Sequence, residues 1–244
     1  VAEGIYPLFK FSYNKWKHSK VNFVLLGTTM LINVLFGIAT AGIFAWSKTN
    51  EFGLFYLVDL PVWAELILAV MMLDLIAQYL VHVLLHKVKF MWRFHMVHHS
   101  DTAVDVTTGT RHHPGDFIIR ELFALIAILI FGMPIAFYLI YRILTVFFTY
   151  LTHANMELPI WIDKAISAVF ISPNMHKFHH HFVRPWTDTN YGNIFSIWDR
   201  LFGTFVYSDP HKIQYGLDVT DADKSDELEY QLKLPFNKNI KTDY

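Results

Sequence analysis

The 244-residue sequence has no cysteine, few charged residues and few glycines. Without cysteine the chain forms no disulfides, thiolate-bound iron–sulfur clusters or cysteine-ligated haem. Neither a GxGxxG motif nor a P-loop occurs, so no nucleotide site is evident. Charged residues make up only 17% of the chain, against about 25% in soluble domains. The net charge of −1 argues against nucleic acid as a partner, because nucleic-acid binding needs a basic stripe.

Hydrophobic residues make up 54% of the chain, which indicates that much of it faces lipid. Residues 21–46 carry no formal charge, and about 20 apolar residues are enough to span a bilayer core. A second apolar segment runs from about Val62 past His86. Basic residues flank the start of the first segment and the end of the second. The positive-inside rule therefore predicts that both ends lie on the cytoplasmic side.

A third apolar region follows Arg120 and Glu121 and is interrupted at Gly132, Met133 and Pro134. A single helix through it would be too long for one crossing, so we expect a hairpin that turns at these three residues. The sequence predicts an all-α integral membrane bundle of about four membrane helices in two hairpins. A cytoplasmic helical cap would hold a histidine-rich dimetal site, and residues 1–244 would form one domain.

The chain contains 14 histidines, many of them spaced like metal ligands. The groups are His82 and His86; His95, His98 and His99; and His176, His179 and His180, with His113 and His153 between them. A lone histidine is usually a surface or core residue, but ten at these spacings favour a metal site, because uncompensated buried imidazoles cost stability. His18 and His211 stand alone and fit the ordinary reading, whereas His112 and His181 stay open.

The histidine spacings exclude two familiar kinds of metal site. The HVLLH segment that starts at His82 lacks the glutamate of HExxH, and the Glu-x-x-His pairs of carboxylate-bridged di-iron bundles are absent. A site of neutral imidazoles should have acidic partners for the ring N–H groups. The candidates are Asp74, Asp116, Asp188 and Asp199, with Asp101 and Asp105 as further local acids.

These motifs, over residues 74–205, resemble the fatty acid hydroxylase/sterol desaturase superfamily of membrane di-iron oxygenases. The segments from Leu85 to Pro114 and from Thr189 to Phe205 are similar to its bacterial sterol-desaturase-like branch, with Asp116 where that branch usually has glutamate. The resemblance implies two iron ions, with zinc possible in a purified sample, and O2 as co-substrate. The implied metal ligands are His82, His86, His95, His98, His99, His113, His153, His176, His179 and His180.

The resemblance implies a membrane-bound oxygenase that hydroxylates or desaturates a lipid at the cytoplasmic face. No flavin or nicotinamide motif is present, so electrons would come from an external cytochrome b5-like or ferredoxin-type donor with its reductase. Aromatic residues could line a lipid channel, although membrane-belt or core packing explains each of them as readily: Phe147, Phe148, Tyr150, Trp186 and Trp198.

The alternative function is a membrane metal transporter or metal-binding protein. A metal conduit would place ionisable residues through the middle of its spans. Only Asp74 favours that reading, because the histidines gather at the ends of the predicted helices. The sequence leaves the lipid substrate and the choice between hydroxylation and desaturation open.

Overall fold

A computed structural model describes residues 2–241, which form helices joined by loops. The main helices are α1 (Lys15–Asn50), α2 (Val62–Lys87), α3 (Lys89–His99), α4 (Pro114–Phe131), α5 (Ile135–His153), α6 (Ile160–Ser167), α7 (Pro173–His179), α8 (Ile197–Leu201) and α9 (Leu228–Lys233). Shorter helical turns lie at Ala2–Ile5, Leu54–Leu57, Val106–Thr110, Trp186–Asp188, Pro210–Lys212, Ala222–Lys224 and Leu234–Phe236. Within residues 2–241 the all-helical prediction is confirmed.

The first predicted span lies inside a longer helix. The Asn14 side chain accepts a hydrogen bond from the Lys17 N–H and caps the start of α1, which ends where Glu51 adopts a left-handed conformation. At 36 residues α1 is about 54 Å long, more than a bilayer core requires. Val21 and Leu25 near its start are buried against apolar side chains of α3, so this end of α1 packs on the rest of the protein.

Helix α2 is not uniform, since a π-helical turn at Leu75–Leu80 interrupts it between Asp74 and His82. Single π turns inside α-helices often occur at functional sites. A π turn is wider than an α turn, so the regular stacking of residues four apart is broken there. Asp74 therefore does not share a face with His82.

Helices α4 and α5 form the predicted hairpin, and its turn is confirmed at Gly132–Pro134. Gly132 has a positive φ of 62°, a conformation that glycine adopts without strain. A Cβ on Gly132 would lie 2.1 Å from the Phe52 carbonyl oxygen. The hairpin tip thus packs directly on the backbone that follows α1.

Among residues 2–241, three segments are long and apolar enough to cross a membrane: Lys15–Leu57, Val62–Lys87 and Ile135–His153. Helix α4 has 18 residues and carries Asp116, Arg120 and Glu121 in its first half, and it is not one of the three. The count of four membrane helices stays a prediction. Buried apolar side chains of α2, α4 and α5, including Leu73, Ile128 and Tyr141, form the main core.

Candidate metal centre

Five histidines from distant parts of the chain meet in one buried group, which we call the five-ring cluster. They are His82 and His86 from α2, His95 and His99 from α3, and His179 from α7. One nitrogen from each ring lies within 4.8 Å of the others. The Nε2 atoms of His82 and His99 lie 3.0 and 3.2 Å from Nε2 of His95.

Four further histidines form a second buried group, the four-ring cluster: His98, His153, His176 and His180. The Nε2 atom of His153, at the end of α5, is its centre. Nε2 of His98, His176 and His180 lie 3.1, 3.2 and 3.1 Å from it. The structure therefore brings nine of the ten predicted ligands together in two groups.

Helical geometry explains how two short motifs serve both clusters. Residues four apart lie on one helix face, whereas consecutive residues point in different directions. His95 and His99 thus reach the five-ring cluster, while His98 reaches the other. His176 and His180 likewise reach the four-ring cluster, and His179 does not. The clusters adjoin, since the rings of His99 and His180 are stacked with centroids 4.7 Å apart.

The direction of the ring nitrogens shows that these rings present lone pairs to one another. His82 Nδ1 lies 2.8 Å from the Tyr191 carbonyl and must donate to it. His95 Nδ1 lies 3.0 Å from the Asp116 carboxylate and donates likewise. The Nε2 atoms of these two neutral rings therefore both carry lone pairs, yet they face each other at 3.0 Å. A cation between them would turn this repulsion into coordination.

The same analysis applies to the four-ring cluster. His153 Nδ1 lies 2.7 Å from the Thr149 carbonyl and donates to it. The Nε2 atom of His153 therefore carries a lone pair, which faces three other rings. Metal–imidazole distances are about 2.0–2.1 Å, which places two nitrogens of one ion roughly 3 Å apart. The observed separations of 3.0–3.2 Å fit this requirement in both clusters.

Burial keeps the rings in the protonation state that a metal needs. It lowers the pKa of His95 to about 3, although the Asp116 carboxylate opposes that shift. Burial also lowers the pKa of five other cluster histidines well below the usual value: His98, His99, His176, His179 and His180. Neutral imidazole is the form that binds metal, so the ligands need no deprotonation at neutral pH.

Two of the predicted acids lie where we expected them, beside cluster histidines. Asp116 is buried and accepts from His95, His112 and Arg120 at 3.0, 3.0 and 2.9 Å. Asp188 lies 3.5 Å from Nδ1 of His86 and pairs with Lys87 at 2.7 Å. Such partners fix the orientation of ligand rings and raise their basicity.

Asp74 and Asp199 are also buried, but neither contacts a cluster histidine. Asp74 accepts from the N–H groups of Ile194, Phe195 and the Trp198 ring, each at 3.1 Å. The π turn after Asp74 accounts for this placement. Asp199 accepts from the N–H groups of Tyr191 and Gly192. The carbonyl of Tyr191 in turn accepts from His82.

Asp101 and Asp105, in the loop that follows α3, contact that loop and the chain just before α1, not the clusters. Asp101 accepts from Thr108 at 2.7 Å, and Asp105 accepts from the Tyr13 hydroxyl at 2.7 Å. His18, expected to be an ordinary residue, lies 2.9 Å from Asp226. This polar network joins α1 to the carboxyl-terminal part of the chain.

His113 is the predicted ligand that the structure does not bring to a cluster. Its Nδ1 accepts from the Gly115 N–H at 3.0 Å and caps α4, and its Nε2 lies 3.3 Å from the Leu232 carbonyl. His112 lies beside the clusters instead, stacked on His98 with centroids 4.7 Å apart. The sequence signal for this role is the position of His113, because the residue directly before a helix-starting proline is the N-cap.

A cavity of about 170 Å³ opens beside the four-ring cluster, between α1, α2, α4 and α5. Cluster residues at its wall are His82, His98, His153 and His176. Five aromatic residues were candidates for lining a lipid channel. Of these five, Tyr150 lines this cavity. Phe147 is exposed, Phe148 stacks on Phe170, and the Trp198 ring donates to Asp74.

Sequence comparison agrees with this geometry. The family model for fatty acid hydroxylase matches residues 66–204, more than half of the chain and the region that holds all nine cluster histidines. The chain belongs to the fatty acid hydroxylase family. No solved structure matches it. The narrower similarity to the sterol-desaturase-like branch stays a prediction.

Relatives of this chain are named as enzymes that act on lipids. The chain is 31% identical over 160 residues to an ornithine lipid hydroxylase of Rhizobium tropici, covering 66% of this chain and 47% of that protein. It is 30% identical over 129 residues to an alkylglycerol monooxygenase of Caenorhabditis elegans, covering 52% of this chain and 24% of that protein. The human alkylglycerol monooxygenase is 27% identical over 146 residues, covering 57% and 30%. The chain thus spans less than half the length of these relatives.

Proposed function

We propose that this chain is an oxidoreductase that uses O2 to hydroxylate a membrane lipid, with two iron ions held by the two histidine clusters. The observation that carries the proposal is the pair of adjoining, buried, neutral imidazole clusters beside a cavity. Imidazole binds iron, zinc and copper alike. Zinc is redox-inert, and relatives named hydroxylases and monooxygenases favour iron.

The chain's own residues hold, orient and shield the centre. The five-ring cluster would hold one ion and the four-ring cluster the other. The Asp116 carboxylate and the Tyr191 and Thr149 carbonyls fix the ring tautomers, so that Nε2 of His95, His82 and His153 points inward. Because the nine rings are buried, bulk water is kept from the centre that they form. Bound iron would supply the redox chemistry that inserts oxygen from O2 into that bond.

The overall reaction needs electrons and protons from outside the centre. One lipid C–H bond and one O2 molecule become an alcohol and water when two electrons and two protons are supplied. We propose an external cytochrome b5-like or ferredoxin-type donor, with its reductase, as the electron source. We also propose that residues 1–244 act as one domain and that the centre faces the cytoplasm, which the basic residues near the two span ends support.

Isotope labelling tests this function. Membranes that contain the chain are incubated with isotopically labelled O2 and an electron donor, and their lipids are analysed by mass spectrometry. We expect one labelled oxygen per product lipid, and none with the His98→Ala variant. His211→Ala is the matched control, because His211 lies outside both clusters. A desaturated lipid without label would mean desaturation. Bound metal with neither product would favour the metal-binding alternative.

A further inference from the structure

The cavity beside the clusters is lined by polar side chains well away from the histidines. A channel for a hydrocarbon tail should have apolar walls. Here charged groups of both signs and several amides contribute to the wall: Asn33, Gln78, Arg120, Glu121, Arg142 and Asn193. Apolar groups make up much of the rest of the wall, so the cavity suits a ligand with polar as well as apolar groups better than a bare alkyl chain.

Helix α5 shows how far the polar lining extends. Arg142, Thr145, Thr149 and His153 all line the cavity, and their spacing of three and four residues places them on one helix face. Arg142 and His153 are eleven positions apart, a rise of about 16 Å along the helix. The polar wall therefore reaches from the four-ring cluster well into the segment that is long and apolar enough to cross a membrane.

An ion pair between α4 and α5 forms part of the cavity wall, about three turns of α5 away from His153. Arg142 donates to Glu121 at 2.7 Å and to the Asn33 side chain at 2.8 Å, which joins α5 to α4 and α1. Glu121 is buried, and about a quarter of the Arg142 side chain is exposed. Ionisable residues inside membrane segments are costly and usually mark a function.

Closer to the histidines, the wall offers amide groups with unused capacity. Asn193 donates from Nδ2 to the Thr149 hydroxyl at 2.8 Å. Its Oδ1 atom is buried and has no hydrogen-bond partner among the described residues. A ligand that carries an N–H or O–H group would satisfy this acceptor, whereas an alkyl chain would leave it unpaired at a cost.

We infer that the cavity takes the polar headgroup of a zwitterionic lipid, and that Arg142 determines this specificity by contacting the headgroup's anionic group. The inference rests on the proposed function. Glu121 and the amides would receive the cationic or hydrogen-bonding part of the headgroup. The hydroxylated carbon then lies in the headgroup or its linkage, next to the clusters, while the acyl tails stay in the bilayer.

Fragmentation of the labelled product tests where the oxygen enters. In the experiment with labelled O2, each product lipid is fragmented into headgroup and acyl parts. We expect the label in the headgroup or linkage fragment. Label within an acyl tail would overturn the inference and leave the proposed function intact, whereas no label in any lipid would contradict the proposed function itself.

Binding to the purified, full chain provides a readout that does not depend on turnover. The probes are dihexanoylphosphatidylethanolamine, which is zwitterionic, and dihexanoylglycerol, which has the same two acyl chains and no charge. We expect only the zwitterionic probe to raise the melting temperature. Arg142→Gln should weaken that binding by about tenfold or more, because it removes charged hydrogen bonds. Equal stabilisation by both probes would overturn the inference.

Matched variants separate recognition from a merely structural tie between α1, α4 and α5. If Arg142 only joined these helices, Arg142→Gln would lower the melting temperature with and without lipid by the same amount. Ile143→Leu is the control, because Ile143 is 69% exposed on the outer face of α5. Should Arg142→Gln fail to fold, Thr149→Val removes one polar wall group, and undiminished binding of the zwitterionic probe by that variant would count against the inference.

Discussion

His98 and His99 are consecutive in the chain, yet their imidazoles belong to different clusters. Their ring planes stand at 88° with centroids 5.4 Å apart, and each ring joins side chains from other helices. His179 and His180 repeat this division from the other side of the centre. The two motifs therefore act as bridges that fix the clusters relative to each other.

Asp116→Asn should weaken metal binding without removing a ligand. The buried carboxylate accepts from His95 at 3.0 Å, and an uncharged amide in its place raises the basicity of the ring less than a carboxylate does. Loss of such a partner typically costs about 10–100-fold in metal affinity. Competition with a chelator measures the change. Asp223→Asn, at an exposed position, is the control, and equal affinities for both variants would contradict this role.

His113→Gln should keep the full metal content. His113 caps α4 through the Gly115 N–H and lies outside both clusters. Losing an N-cap typically costs about 1 kcal/mol, so a lower melting temperature is expected without metal loss. Elemental analysis of the purified variant measures its metal content. Loss of an ion would show that His113 is a metal ligand after all.

Asp74→Asn should destabilise the protein while leaving the nine ligands in place. The two carboxylate oxygens accept three hydrogen bonds from the Ile194–Trp198 segment. An amide keeps one of these oxygens and replaces the other with a nitrogen that cannot accept, so at least one of the three N–H groups loses its partner. Each hydrogen bond to a charged group is worth roughly 1.5–3 kcal/mol. We expect a clear fall in the melting temperature in detergent. An unchanged value would show that this segment is held by other contacts.

The metal-free protein should lose stability as the pH falls below about 6.5, the usual pKa of histidine in an unfolded chain. Burial lowers the pKa of His98 and His99 well below that value. Between the two values the unfolded chain binds more protons, so unfolding becomes easier with acid, by up to about 1.4 kcal/mol per ring and pH unit. Melting temperatures measured from about pH 8 to about pH 5, a range that contains the ordinary histidine pKa, give the dependence of stability on pH. His98→Gln should flatten it, and a flat profile for the unchanged protein would contradict the burial argument.

Much of the fold follows from local signals in the sequence. The absence of charge in residues 21–46 predicts the apolar part of α1, and Gly132 with Pro134 predicts the hairpin turn. The π turn at Leu75–Leu80 was not predicted, because it depends on packing rather than on a local pattern. A regular α-helix from Asp74 to His86 would place Asp74 on the face of His82, and the π turn removes it from that face.

The candidate site can be predicted from the sequence as far as the spacing of histidines along a helix determines where their rings point. The i, i+3 and i+4 histidines predict rings that converge, but the assignment of His98 and His99 to separate clusters needs the placement of α5 and α7. The choice between His112 and His113 depends on where α4 begins. The position of His113 directly before Pro114 marks it as the N-cap once that proline is known to start the helix. The polar wall near Arg142 assembles from four helices, so no short motif marks it.

Metal stoichiometry tests the central claim most directly, because two separate clusters require two ions. After anaerobic loading with ferrous iron and removal of excess, we predict two irons per chain for the unchanged protein. We predict a marked loss at one position for His98→Ala and at the other for His99→Ala, with distinct iron spectra for the two variants. A single iron per chain, none at all, or identical spectra for the variants would contradict the two-cluster account.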